Sequence, residues 1–261
     1  NKVPFYGAVI VCLDDPNVRS ILPDLEKRVI TYGLTPQAQL RAADVRADAF
    51  TSTFSVMYEG EKLGVITLKA PGDHNVKNAL AAIATGIELG IDFKLIKQGL
   101  EHFEGVFRRF QLKYDNGCMV IDDYAHHPTE VQATLQAARK GWPDRRVVAV
   151  FQPHLYSRTQ DLYKEFGLSF FDAEIMICTD VYPSREKPIE GVTGKLIANT
   201  AVQYGHKNVV YVEDKEKITK TLKEITRKGD IIITMGAGDI YRFGEDFIEA
   251  LKSGKFKPKA E

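Results

Sequence analysis

The sequence predicts an α/β protein whose second half is a doubly wound, mostly parallel sheet. Three observations carry this. Five short apolar runs rich in β-branched residues recur at 118–121, 147–151, 175–179, 209–212 and 231–235. Helical spacing separates them, at about 129–140, 157–171, 192–204 and 215–227. Polar, chemistry-bearing residues gather just after the runs. Continuous apolar strands alternating with helices are what a sheet covered on both faces requires.

The first half follows a different pattern. An apolar run over 6–13 ends in Asp14-Asp15-Pro16, where Asp caps a helix and Pro suits its first turn. Leu22 and Leu25 continue a short amphipathic helix, and Val29-Ile30-Thr31-Tyr32 reads as a strand closed by Gly33. From about Ala42 to Lys69 the period becomes two. Phe54, Val56 and Tyr58 lead through Glu59-Gly60-Glu61-Lys62 to Leu63, Val65 and Leu68, which reads as one β-hairpin. Pro71-Gly72-Asp73 ends the sheet and caps a long helix, His74 to about Leu89, followed by a second over about 93–102. The pattern breaks at Gly105-Val106-Phe107-Arg108-Arg109-Phe110, so a domain boundary is placed there, giving 1–107 and 108–261.

Composition narrows the function. With 261 residues, 44% hydrophobic and 27% charged, the chain can bury a core of ordinary size. Lys plus Arg equals Asp plus Glu at 35 each, which removes the electrostatic case for nucleic-acid or anionic-membrane partners. Cys12, Cys118 and Cys178 sit in apolar runs without short spacings, against a disulfide framework or a thiolate zinc site. No run reaches the roughly 18–20 apolar residues of a membrane span, so a cytoplasmic protein is expected. The opening Asn1-Lys2-Val3-Pro4 lacks an initiator Met and suggests a piece of a longer chain. The only biased tract is Lys-rich, 252–259.

In open α/β sheets ligands bind beyond the carboxyl ends of the strands. Those ends read Asp122-Asp123-Tyr124-Ala125-His126-His127-Pro128, Gln152-Pro153-His154-Leu155-Tyr156-Ser157-Arg158, Asp180-Val181-Tyr182-Pro183-Ser184-Arg185-Glu186 and Gly236-Ala237-Gly238-Asp239. Four strands thus deliver His, Asp, Arg and Tyr to one rim. Each piece has a plainer reading: Asp-Asp is also a helix cap, and Arg158 or Arg185 alone is also a surface charge. His126-His127 does not make a metal pair, since adjacent side chains diverge and no third ligand completes a pattern. Gly236-Ala237-Gly238 lacks the third Gly of a dinucleotide fingerprint, which disfavours an NAD enzyme. Gly191-Val192-Thr193-Gly194-Lys195-Leu196 has two residues between its glycines where a phosphate loop needs four. In the first half, Asn75 and Asn78 lie three apart at a helix start, placing two amides on one face suited to a purine edge or ribose; simple capping is the alternative.

Taken together, these segments resemble the Mur ligases, ATP-dependent amide ligases of peptidoglycan precursor synthesis. Ala70-Pro71-Gly72-Asp73-His74-Asn75 with Asn78 is similar to the family's adenine-contacting motif, which implies nucleotide roles for His74, Asn75 and Asn78. Gly105 to Phe110 resembles its interdomain segment, implying that Arg109 reaches the ATP phosphates. Asp122 to Glu130 resembles the signature opening the C-terminal, Rossmann-like domain. There Asp123 would face the nucleotide, with Tyr124 and His126 near the incoming amino acid. Phe151-Gln152-Pro153-His154 with Tyr156-Ser157-Arg158-Thr159 looks most like the branch that adds L-alanine, implying that His154 and Arg158 hold it. A branch that recycles whole murein peptides is the runner-up.

The resemblance implies that a carboxylate of UDP-N-acetylmuramate is activated by ATP as an acyl phosphate and then attacked by the amino group of L-alanine, with Arg109, Asp123 and His126 as catalytic residues. Mg2+ would serve the whole enzyme through ligands upstream of this chain. The family's phosphate loop, its metal ligands and its UDP-sugar domain have no counterpart in these residues. The chain alone is therefore expected to hold no cofactor tightly and to be inactive. A stand-alone binding module without turnover, or an oligomerising piece with exposed strand edges, is the reading from another class.

Overall fold

The structure, a computed structural model, describes residues 2–259, so Asn1, on which the reading of the N-terminus rests, lies outside the described residues. The chain divides into two compact units, Asn1–Gly105 and Val106–Glu261.

The first unit is built on a sheet of order β1-β2-β3-β4-β5. β1 (Val9–Cys12), β2 (Val29–Gly33) and β3 (Leu40–Asp48) run parallel; β4 (Thr51–Tyr58) and β5 (Glu61–Leu68) continue antiparallel. Between β1 and β2, Asp15 Oδ1 accepts from Asn17 N at 2.8 Å and caps α1 (Pro16–Ile21), as the Asp-Pro pair predicts. The single hairpin read from the sequence is two hairpins sharing β4. β3 hides because only Leu40 and Ala42 of its nine residues are buried apolar side chains, and Arg41, Asp44, Arg46 and Asp48 between the others read as charged surface. It also bulges between Ala43 and Arg46, where Asp44 takes φ 54°, which breaks the alternation.

α2 (Asp73–Glu88) and α3 (Phe93–His102) cover this sheet. Val76, Leu80 and Ile83 of α2 pack with Leu40, Phe54, Val56 and Ile66 of the strands. The residue at the helix cap is Gly72, not Asp73; its φ of 98° suits a residue without Cβ and leaves no side-chain cap.

The second unit is a six-stranded sheet of order β10-β9-β8-β11-β7-β6. Its parallel strands are β7 (Cys118–Asp123), β8 (Val147–Phe151), β9 (Ile175–Thr179), β10 (Val209–Val212) and β11 (Ile231–Met235). Every residue of β7, β8 and β11 is buried, which is why these runs lack polar alternation. α4 (Pro128–Gly141), α5 (Tyr156–Leu168), α6 (Gly194–Gln203) and α7 (Ile218–Ile225) connect them, and α8 (Ile240–Lys252) follows β11. β6 (Gln111–Asn116), antiparallel to β7, is not legible in the sequence. It is an edge strand whose Lys113, Asp115 and Asn116 read as loop.

Some boundaries differ from the reading. The helix expected over 157–171 ends at Leu168. The helix expected from 215 begins at Ile218 after a 3-10 turn and stops at Ile225, where Thr226 takes extended backbone with ψ 133°. The Lys-rich tail is partly folded: Phe256 packs on Phe247 with ring centroids 5.5 Å apart, and Lys259 bridges Arg227. The superficial phosphate-loop run opens α6, and its Gly194 N–H already donates to Asp180 Oδ1 at 2.8 Å. A Cβ there would stand 1.9 Å from Thr179 O, so the run is closed packing rather than an open cradle.

Candidate functional site

The carboxyl ends of β7, β8, β9 and β11 bring their loops together in the second unit. The base of this rim is a buried network. Arg108 donates through Nε to Asp122 Oδ2 at 2.7 Å, through Nη2 to Gly236 O at 2.8 Å and through Nη1 to Gly238 O at 3.3 Å. Thr234 Oγ1 donates to the other Asp122 oxygen at 2.8 Å. A buried ion pair of this kind stands only because all its polar atoms are met.

Asp123 sits beside it, also buried. Its Oδ2 accepts from Phe110 N at 2.8 Å and its Oδ1 from Ala125 N at 2.7 Å. Burial pushes the Asp123 carboxyl up to about 6, and the two N–H donors and the Arg109 charge only partly offset this. One carboxylate thus fastens two segments, the one carrying Arg109 and the one carrying Tyr124 and His126.

The backbone of 108–110 explains the placement of its side chains. Arg108 (φ 58°) and Phe110 (φ 45°) are both left-handed, so Arg108 and Phe110 turn inward while Arg109 between them stays exposed. Arg109 lies over the Tyr124 ring, 5.7 Å from its centroid, with Nη1 3.7 Å from Glu130 Oε1. Glu130 in turn accepts from His126 N at 2.9 Å and His127 N at 3.2 Å, closing a capping box at the start of α4. Burial works against its charge, yet the His126 N–H and the charges of His126 and Arg109 hold Glu130 below the usual carboxylate range. Glu130→Ala is expected to lower the stability of the chain by about 1–2 kcal/mol, a cap lost, as read by urea unfolding.

His126 Nδ1 lies 2.8 Å from Tyr124 O and 3.4 Å from Glu130 Oε2. A carbonyl accepts only, so Nδ1 carries a proton, and Nε2 is the ring atom left to act as an acceptor whenever the ring carries no second proton. The His126 ring meets Tyr124 edge-on at 5.2 Å and His154 at 5.9 Å. His154 is stacked on Tyr182, centroids 5.9 Å apart and planes within 15°, and its Nδ1 is buried without a hydrogen-bond partner. Burial, then the charges of Arg158 and His126, push the His154 ring toward the neutral form. Arg158, half-buried in the first turn of α5, donates through Nη1 to His126 O at 3.4 Å. Among the described residues no carboxylate lies within ion-pairing distance of it. Glu186 holds the same helix start, accepting from Ser157 N at 3.0 Å and Ser157 Oγ at 2.5 Å.

The glycines of the turn after β11 are required by close approach. A Cβ on Gly238 would fall 2.4 Å from Gln152 Oε1 and 2.7 Å from the Tyr182 ring. Gln152, buried at the end of β8, donates to Asp239 Oδ1 at 3.1 Å. The turn is therefore a wall of the rim, in keeping with its reading as a tight strand-to-helix turn.

The residues singled out from the sequence fall in two places. Arg109, Asp123, Tyr124, His126, His154 and Arg158 are linked by the contacts above. His74, Asn75 and Asn78 lie in the first unit, at the start of α2. There Asn75 Nδ2 donates to Pro71 O at 2.7 Å, which ties the turn, while Asn78 is exposed. Residues to which the sequence reading gave no role are Arg108, Asp122, Glu130, Gln152, Tyr182 and Tyr241. The adjacency of Arg108 to Arg109 was a signal; its burial depends on the left-handed backbone and is invisible in sequence. Among the described residues no cluster of three His, Cys, Asp or Glu side chains is placed to hold a metal. No helix of the described residues is long and apolar enough to cross a membrane.

Comparison with known proteins accounts for both units. Residues 1–86 match the Mur ligase middle domain, and residues 108–238 match the Mur ligase glutamate ligase domain. The UDP-N-acetylmuramate–L-alanine ligase of Salinibacter ruber is 54% identical over 97% of this chain and 54% of its own length. That of Pelobacter propionicus is 49% identical over 97% and 55%. The crystal structure of UDP-N-acetylmuramate-alanine ligase from Thermotoga maritima superposes with a TM-score of 0.73 at 30% identity, covering 86% of this chain and 48% of that one. The chain thus spans about half the length of the curated relatives it matches. Two consecutive domain matches, in the order the two units occur, leave one conclusion: the chain belongs to the Mur ligase family.

Proposed function

We propose that the chain supplies the amino-acid side, and part of the nucleotide side, of a cytoplasmic ligase that uses ATP to join L-alanine to UDP-N-acetylmuramate. Residues 1–107 would belong to its ATP-binding domain and 108–261 to its amino-acid-binding domain. The observation that carries this reading is Arg158: a half-buried guanidinium with no carboxylate partner among the described residues, bonded to the main chain of His126. An α-amino acid brings a carboxylate for Arg158 and an amine for the neighbouring base. The relatives' names support the choice of L-alanine, and so do Tyr124 and the Tyr182-Pro183-Ser184-Arg185 segment.

In this reading His126 Nε2 takes the proton of the alanine ammonium, and Glu130 steadies the imidazolium that results. The freed amine attacks the acyl phosphate; the carbon–nitrogen bond forms and inorganic phosphate leaves. Arg109, beyond Tyr124, would neutralise charge on the transferring phosphate. His74, Asn75 and Asn78 would face the adenine. Mg2+ does not fit the described residues, which offer no ligand cluster, and no step here is assigned to it.

The test is ATP-dependent joining of L-alanine to UDP-N-acetylmuramate by the full-length ligase carrying this chain, beside residues 1–261 alone. Turnover in the first and none in the second is expected, since no Gly-rich phosphate loop occurs in these residues. His126→Ala should lower alanine-dependent turnover by about 100-fold or more, the worth of a general base. A full-length protein indifferent to L-alanine would sink the reading, and an unaffected His126 variant would remove the base.

A further inference from the structure

We propose that Arg108 is a positioning residue that sets the amino-acid face of the site through Tyr124; this rests on the ligase reading above. The geometry is specific. The Arg108 guanidinium lies against two rings, its Cζ 5.1 Å from the Tyr124 centroid and 4.6 Å from that of Tyr241. The same residue's carbonyl accepts from Tyr124 N at 2.7 Å, so Tyr124 is held by both main chain and side chain of Arg108. Tyr124 then meets His126 edge-on, and its carbonyl receives His126 Nδ1. The base is thus oriented by Tyr124, and Tyr124 by Arg108.

Three further contacts make the guanidinium a fixed point rather than a mobile one. Its plane is forked across Asp122 Oδ2, Gly236 O and Gly238 O, which joins the end of β7 to the turn after β11. An ammonium on a flexible stem reproduces the charge but neither the fork nor the flat face against the rings. Arg108 touches no reacting atom in this arrangement. It acts on the orientation of Tyr124 and His126, which bears on the aminolysis step and not on nucleotide affinity.

The experiment uses the full-length ligase carrying this chain, first shown to join L-alanine so that failure of the ligase reading is seen separately. Arg108→Lys, Tyr124→Leu and the double variant are compared for kcat and for KM of ATP and L-alanine. Arg108→Lys is expected to lower kcat about tenfold or more with KM for ATP within about twofold of the parent, the split expected when only the transition-state geometry suffers. The double variant should lose little beyond Tyr124→Leu, because the two residues act in series. Losses that multiply, or a kcat per folded molecule equal to the parent's, would overturn the proposal.

Folding is followed through Trp142, the only tryptophan of the chain, which stacks on Phe110 two residues from Arg108 with ring centroids 6.1 Å apart. Should Arg108→Lys not fold, Tyr241→Leu decides. It removes one of the two rings and leaves both members of the Arg108–Asp122 pair in place. It is expected to lower kcat about three- to fivefold in the parent and by less than about twofold on the Tyr124→Leu background. No change in the parent would overturn the proposal equally.

Discussion

An Asp123→Ala variant of the full-length ligase is expected to lose turnover by at least about 100-fold, the scale seen when a fixed electrostatic element of a site is removed. The reason lies in the two segments that Asp123 fastens. Phe110 N and Ala125 N both end on its carboxylate. Without it two buried N–H groups go unmet, at a cost of about 1–3 kcal/mol each, and the backbones that present Arg109, Tyr124 and His126 lose their common anchor. Turnover within a few-fold of the parent would show that the carboxylate is not needed to hold them.

The same residue gives a pH signature in the chain alone. Its folded-state value of about 6 lies above the ordinary range near 4, so the folded form binds the proton more tightly than the unfolded one. The contribution of Asp123 to stability is therefore full below about pH 4, declines as pH rises to about 6, and stays at its lower level above that. The decline amounts to about 3 kcal/mol at most. The urea midpoint of the parent relative to that of Asp123→Asn should fall across that window, a difference from which the opposing contributions of His154 and Glu130 cancel. A parent-minus-variant difference that is flat or rising there would contradict the assignment to Asp123.

Arg158→Ala is expected to raise the KM for L-alanine about 30- to 100-fold while changing kcat less than about threefold. That pattern follows from loss of one charge-assisted contact to an unreacting part of the substrate, worth about 2–3 kcal/mol. The structure prepares the side chain for such a partner. Glu186 holds the start of α5 through Ser157, and among the described residues the guanidinium's hydrogen bond is to the His126 carbonyl, at 3.4 Å. Arg158→Lys should recover about tenfold or less, since an ammonium makes no bidentate pair. A variant that lost kcat with an unchanged alanine KM would move Arg158 from binding to chemistry.

The parallel core of the second unit was legible in the sequence because buried strands are written as uninterrupted apolar runs. All five appear where β7 to β11 lie. Strands that face water were not. β6 carries Lys113, Asp115 and Asn116, and β3 carries Arg41, Asp44, Arg46 and Asp48, residues that in sequence are indistinguishable from loop. At the candidate site, the family resemblance pointed to side chains that reach outward, such as Arg109 and Arg158. It gave no role to what supports them. Arg108 is an exposed-looking charge in a pair of charges, and only the φ of 58° that turns it inward makes it the centre of a network. Gln152 likewise gains its meaning from Gly238, which leaves room for it.

The strand order has a consequence for how this chain is made. β11, the last strand, is seated between β7 and β8, so those two never touch and are joined only through it. During synthesis from the N-terminus, β8, β9 and β10 can align as a parallel set, and β6 with β7 as a hairpin. The halves remain separate until residues 231–235 have left the ribosome. Completion of the sheet is then a late, long-range event that waits on the whole unit, a topology associated with slow folding and with vulnerable intermediates. Loss of residues 231–235 would cost far more than their number suggests: it would release β6 and β7, and with them Asp123, Tyr124 and His126, from the rest of the rim.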